Sequence, residues 1–94
     1  MRSKFEYVHY RVTKNVNSAI TFYMMACYAY YVLDDPFMSD ADFDWLVKFV
    51  KKNYDKINHP HKQYVTLDVL DAGTAPTKYP EMVVGGTLSF LEGD

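Results

Sequence analysis

The segment Tyr28–Leu46, YAYYVLDDPFMSDADFDWL, decides how this chain is read. No glycine or proline interrupts the sequence from Ser18 until Pro36, so one helix can run from Ser18 to Leu33. Asn17 or Ser18 can cap it by accepting from its free backbone N–H groups. Asp34, Asp35 and Pro36 stop it, because proline disfavours helical geometry in the residue before it. Ser39 then opens a second helix, with Asp42 at the third helical position in the manner of a capping box. In that helix Phe43, Leu46, Val47, Val50, Tyr54 and Ile57 recur at helical spacing, and it should end near Asn58, before Pro60. Two helices joined by a turn of about five residues pack as an antiparallel hairpin.

The first of these helices is apolar nearly all round. Ile20, Tyr23, Met24, Cys27, Tyr30 and Tyr31 lie on one side; Phe22, Met25, Ala26, Ala29 and Val32 lie on the other. Such a helix must be covered on several faces, by the rest of the fold or by a partner. Outside the hairpin the residue types favour strands. Phe5–Val12 is rich in aromatic and β-branched residues, with Glu6, Val8, Tyr10 and Val12 on one face of a strand. Tyr64–Leu70 and Glu81–Leu91 carry valine, threonine and aromatics, and Gly85-Gly86 between Val84 and Thr87 reads as a hairpin turn. The run AGTAPTKYP, residues 72–80, reads as a loop. The expected fold class is therefore α+β: an antiparallel two-helix hairpin with a small antiparallel β element from the C-terminal third and the N-terminus, in a single domain over residues 1–94.

Length and charge narrow the function. Ninety-four residues, 49% of them hydrophobic, suffice for one small core and not for two. A formal charge of −2 gives no global reason to expect a nucleic-acid binder, and specific DNA binding is not expected. The charges are segregated: Asp34, Asp35, Asp40, Asp42 and Asp44 precede Lys48, Lys51, Lys52, Lys56 and Lys62. The single cysteine, Cys27, excludes an internal disulfide and reads as a buried thiol in a reducing compartment. Residues 1–12 are interrupted by Glu6, His9 and Arg11 and lack the apolar run of a secretory signal, and Ile20–Leu33 is shorter than the ~20 residues that span a bilayer. The expectation is a cytoplasmic protein with no membrane partner.

The chemistry concentrates at the junction of the two helices. Tyr30 and Tyr31 end the first helix and offer ring faces to a flat cation; Asp40 and Asp44, four apart on one face of the second, can accept from hydroxyls or an amide. The whole run resembles the N-terminal Ia domain of bacterial NAD-dependent DNA ligases, whose corresponding stretch reads approximately YxYYVLDxPxISDAEYDRL. The match covers Tyr28, Tyr30, Tyr31, Val32, Leu33, Asp34, Pro36, Ser39, Asp40, Ala41, Asp44 and Leu46. The resemblance implies a site for nicotinamide mononucleotide or the same half of NAD, lined by Tyr30, Tyr31, Asp40, Phe43 and Asp44. Phe43 departs from the family's tyrosine and lacks its hydroxyl. The K-x-D-G motif that accepts adenylate in a ligase is absent from the sequence, so a non-catalytic binding module is expected rather than an enzyme. A free-standing module of this size would be at home in a bacteriophage genome, acting in the host cytoplasm.

Two other readings stand beside this one. An apolar helix exposed to a partner would make a protein-interaction module, either a homodimer or a complex with a host protein. The lysine face would suit a nucleic-acid accessory protein. A structural origin for the charges is also open, because aspartates are favoured in a helix's first turn and Asp44, Lys48, Lys52 and Lys56 make a ladder typical of a solvated face. His59 and His61 lack the further ligands of a metal site, and Gly85-Gly86 lacks the remaining glycines of a phosphate loop.

Overall fold

In the computed structural model, which describes residues 4–72, 76 and 78–92, the helix that starts at Ser18 is the axis on which everything else lies. The elements are α1 (Lys4–Lys14), α2 (Ser18–Cys27) continuing through a π-helical turn (Tyr28–Val32), α3 (Asp40–Asn53), α4 (Leu67–Ala72) and α5 (Glu81–Glu92). Short 3-10 segments at Tyr54–Lys56 and Pro60–Tyr64 connect α3 to α4. Every residue of α2 except Ser18 and Thr21 is buried. Its neighbours are α1, α3, α5 and the 60–64 segment, so the chain itself covers the expected apolar helix as far as Cys27, while Tyr30, Tyr31 and Val32 beyond it stay exposed.

The hairpin forms as expected, except that its second helix ends at Asn53 and gives way to the 3-10 turn Tyr54–Lys56 instead of continuing to about Asn58. Asn17, before α2, accepts the Asn58 backbone N–H at 2.7 Å from beyond the end of α3. At the other end Tyr30 stacks on Phe43 at 6.0 Å, so the two helices run antiparallel. Ser39 caps α3 through its side chain, which accepts from the Asp42 N–H at 3.1 Å. The start of α2 is built differently from expectation. The Asn17 carboxamide is taken up by Asn58, and the Ser18 hydroxyl donates to the Asn15 carbonyl at 2.7 Å, so neither serves as a side-chain cap.

The α+β expectation is corrected: there is no strand among the described residues, and the molecule is all-helical. Phe5–Val12 lies in α1, where Val8 and Val12, four apart, are both fully buried while Glu6 and Tyr10 of the supposed strand face are exposed. Tyr64–Leu70 becomes the end of a 3-10 segment followed by α4, started by the Thr66 hydroxyl accepting from the Val69 N–H at 3.2 Å. Glu81–Leu91 is α5, and Gly85 and Gly86 sit inside it rather than in a hairpin turn. Gly86 faces α2, where an added methyl would lie 3.7 Å from the Met25 sulfur; Gly85 faces open space. Of the run 72–80, Ala72 closes α4 and residues 76 and 78–80 have no regular structure, whereas 73–75 and 77 lie outside the described residues.

The core that results is one cluster. Val8 and Val12 of α1, Ile20, Tyr23 and Met24 of α2, Leu46 and Val50 of α3, and Val65, Leu70 and Val83 from the later segments all belong to it. Its one buried polar side chain among the described residues, Thr87, donates its hydroxyl to the Val83 carbonyl at 2.7 Å and so leaves no donor unsatisfied. Cys27 is buried and free, as its surroundings in the sequence implied. No helix among the described residues is long and apolar enough to cross a membrane.

Candidate functional site

The junction between α2 and α3 is shaped by a change of helical pitch. The Leu33 N–H bonds the Tyr28 carbonyl at 3.0 Å, five residues back, and the Asp35 N–H reaches the Ala29 carbonyl at 2.8 Å, six back. Asp34 closes the turn with φ 52°, a left-handed conformation that aspartate tolerates better than most residues. One residue more per turn rotates the side chains beyond it by about 100° relative to a continuous α-helix. Ala29 stays buried, while Tyr30 and Tyr31 come to the surface, 40% and 48% exposed. Single π-turns of this kind recur at functional sites because they re-aim side chains without breaking the helix.

On the other side, the Ser39 cap sets the phase of α3. Asp40, Phe43, Asp44, Val47, Lys48 and Lys51 then fall on one stripe by helical spacing. Together with Tyr30, Tyr31, Leu70 and Asp71 they line one open groove of about 460 Å³. All five residues singled out in the sequence, Tyr30, Tyr31, Asp40, Phe43 and Asp44, are thus brought to a single groove. No protein-family model matches this chain, and neither a curated protein nor a solved structure does. What the site can do follows from its own geometry.

The aromatic end is a shallow stack. Phe43 lies nearly parallel to the buried Tyr23, at 21° and 6.1 Å, and to Tyr30, at 16° and 6.0 Å. Tyr31 meets Tyr30 edge-on at 4.9 Å. With Tyr79 and the Cys27 thiol, Tyr23 and Tyr31 of this stack make a neutral layer of phenols and one thiol. Burial raises the Tyr23 and Tyr31 hydroxyls above their ordinary value, with the nearby Cys27 a further cause in each, and pushes Tyr79 up to about 12. Burial pushes the Cys27 thiol up to about 12 as well, partly offset by its hydrogen bond with Tyr23. At neutral pH this layer contributes dipoles and no charge.

The charges of the groove all sit on α3 and α4. Asp40 is exposed at the aromatic end, beside Phe43. Asp44 pairs with Lys48 at 2.9 Å, and Lys51 pairs with Asp71 at 2.6 Å across to α4. Of the lining residues beyond the original five, Lys48 and Lys51 were within reach of the sequence, because they extend the spacing of Asp40 and Asp44. Leu70 and Asp71 were not, since Leu70 ends a segment that reads as a strand, Asp71 follows it directly, and both reach the groove only through α4.

The histidine pair has a structural task. The His59 ring Nδ1 accepts the His61 N–H at 3.0 Å, which caps the 3-10 segment, and its Nε2 lies 3.4 Å from the Thr21 hydroxyl of α2. Burial, and then the charge of His61, lower the His59 pKa, which favours the neutral ring this cap requires. Among the described residues no group of three or more His, Cys, Asp or Glu side chains could hold a metal ion.

Proposed function

We propose that this chain is a non-catalytic module that binds a nicotinamide nucleotide, either nicotinamide mononucleotide or the corresponding half of NAD, in the groove between α2, α3 and α4. The observation that carries the reading is the convergence in one groove of Tyr30, Tyr31, Asp40, Phe43 and Asp44, all named from the sequence. The donor set suits the ligand. Tyr30 and Tyr31 present half-exposed rings to a flat pyridinium, and the adjacent carboxylates add favourable charge. Asp40 would accept from ribose hydroxyls or the carboxamide, while Asp44 shares its carboxylate with Lys48. Phe43 supports the Tyr30 ring from below and supplies no hydrogen bond of its own. The non-catalytic part of the reading rests on the sequence, which has no K-x-D-G motif of the kind that accepts adenylate in the ligases it resembles.

The other readings have less to rest on. Most of the apolar run that suggested a homodimer or host-protein interface, residues 19–27, is buried by the chain's own helices, and only its end, Tyr30, Tyr31 and Val32, stays exposed. Two lysines of the cationic face, Lys48 and Lys51, are each paired with a carboxylate.

Calorimetric titration with nicotinamide mononucleotide, NAD and AMP tests the proposal. Saturable binding of the first two and none of AMP is the expected result; failure of both nicotinamide nucleotides to bind would overturn it. Asp40→Ala should weaken binding by about 1.5–3 kcal/mol, because a hydrogen bond to a charged group is lost. Phe43→Tyr should tighten it by about 0.5–1.5 kcal/mol at most, since it adds one neutral hydrogen bond.

A further inference from the structure

The groove is polarised along its length. On α3 the stripe begins with Asp40, passes Phe43 and Asp44, and ends with Lys48 and Lys51, so carboxylates lie at the aromatic end and ammonium groups at the other. Phe43 and Lys48 are five residues apart, which places their backbones about 7.5 Å apart along the axis, and lysine side chains add several ångströms of reach. A ligand that is a flat cation at one end and an anion at the other matches this order.

Both ammonium groups already have partners. Lys48 is held by Asp44 from one turn back on the same helix, but Lys51 is held by Asp71, which belongs to α4 and closes the far end of the groove. The Lys51–Asp71 pair is open to water, with side chains 42% and 61% exposed, and exposed pairs of this kind are weak. A phosphate carries more charge than a carboxylate and has three acceptor oxygens, so it can displace Asp71 where a neutral hydroxymethyl group cannot.

We infer that Lys48 and Lys51 form the phosphate end of the groove and that Asp71 is a competing carboxylate, which makes the pair Lys51–Asp71 the determinant of selectivity for nicotinamide mononucleotide over the uncharged-tail riboside. This rests on the nicotinamide-nucleotide reading of the same groove. Asp71 sets how much of the affinity the phosphate can claim, while the aromatic end is indifferent to it.

The test is titration of the full chain with nicotinamide mononucleotide and with nicotinamide riboside. The wild type should prefer the mononucleotide. Lys51→Gln should lower that preference roughly three- to tenfold, and Lys51→Arg should retain it. Asp71→Asn should raise it about two- to fivefold, with riboside affinity constant within about twofold in every variant. Both positions are exposed, and unchanged thermal melts would show that the variants fold. Equal binding of the two ligands by the wild type, or a preference that Lys51→Gln leaves untouched, would overturn this inference and leave the nicotinamide site standing. Failure of both ligands to bind would overturn the site and this inference together.

Discussion

α2 and α5 are both largely apolar helices, and the molecule uses them in opposite ways. α2 is enclosed by α1, α3, α5 and the 60–64 segment and hides all but two of its residues. α5 buries only Val83 and Thr87, and leaves Met82 and Leu88 78% and 46% exposed. The difference is one of order: α2 is the surface on which the other elements settle, whereas α5 is helical because it docks. Val83, Gly86, Thr87 and Phe90 follow one another at helical spacing; Gly86 lies close to Met25, and Phe90 packs on Phe22 at 6.3 Å and Phe37 at 4.9 Å. An isolated helix with two central glycines would be marginal, so its stability is borrowed from this contact stripe. Apolar composition therefore does not set depth; the number of elements that converge on a helix does.

That contrast can be broken most sharply in α2. Met24 is fully buried at its centre, and Met24→Ala should cost about 2–5 kcal/mol in a urea titration. A loss below about 1 kcal/mol would mean that α2 is not the packed axis. A smaller effect is expected from the strap over its N-terminal half. His59→Ala removes the ring that caps the 3-10 segment and should cost about 1 kcal/mol, as the loss of a helix cap commonly does. The same residue predicts a pH dependence with a definite sign. Its folded pKa lies below the ordinary value near 6.5, so the unfolded chain takes up the proton first. The contribution is complete above about pH 6.5 and is lost as pH falls from there through the lowered folded value. Melting curves across this window should show the decline in the wild type and a flatter profile in His59→Ala.

α5 gives the smaller and opposite effects. Gly85 faces open space inside a helix, so Gly85→Ala should stabilise the protein by about 0.5–1 kcal/mol. A hairpin turn at this position would reverse the sign, which makes the substitution a direct test of the helix. Met82→Ser, at a side chain already in solvent, should change stability by less than about 0.5 kcal/mol.

The parts of the fold that could be read from the residues alone are those with chemical limits. Pro36 beyond the end of the first helix, and Ser39 with Asp42 at the start of α3, bound the hairpin whatever surrounds it. Elsewhere the signals are local and ambiguous. Val8 and Val12 satisfy both a strand's alternation and a helix's spacing, and only the presence of α2 decides between them. The valines, threonine and paired glycines of α5 favour strand and turn by propensity, and docking onto α2 overrides them. The weak start signals, Thr66 before α4 and Pro80 before α5, were present but are easily outweighed by composition. The candidate site divides in the same way. Its aromatic and acidic residues lie within one short run and are legible there, whereas Asp71 reaches the groove only through the path of α4. The π-turn is silent in the sequence, because an extra residue within an unbroken helical run changes neither composition nor apolar spacing appreciably.

The buried thiol has a practical consequence. Cys27 is the chain's only cysteine, is fully enclosed, and has its pKa pushed up to about 12, so in the folded state it is both unreachable and un-ionised. An alkylating reagent can modify it only when α2 is transiently uncovered. Where closing is faster than alkylation, the observed rate divided by that of a free thiol gives the fraction of molecules open at any moment. The protein thus carries its own gauge at the axis of the fold, able to report how much of the population stands open in native buffer without denaturant and without an engineered probe.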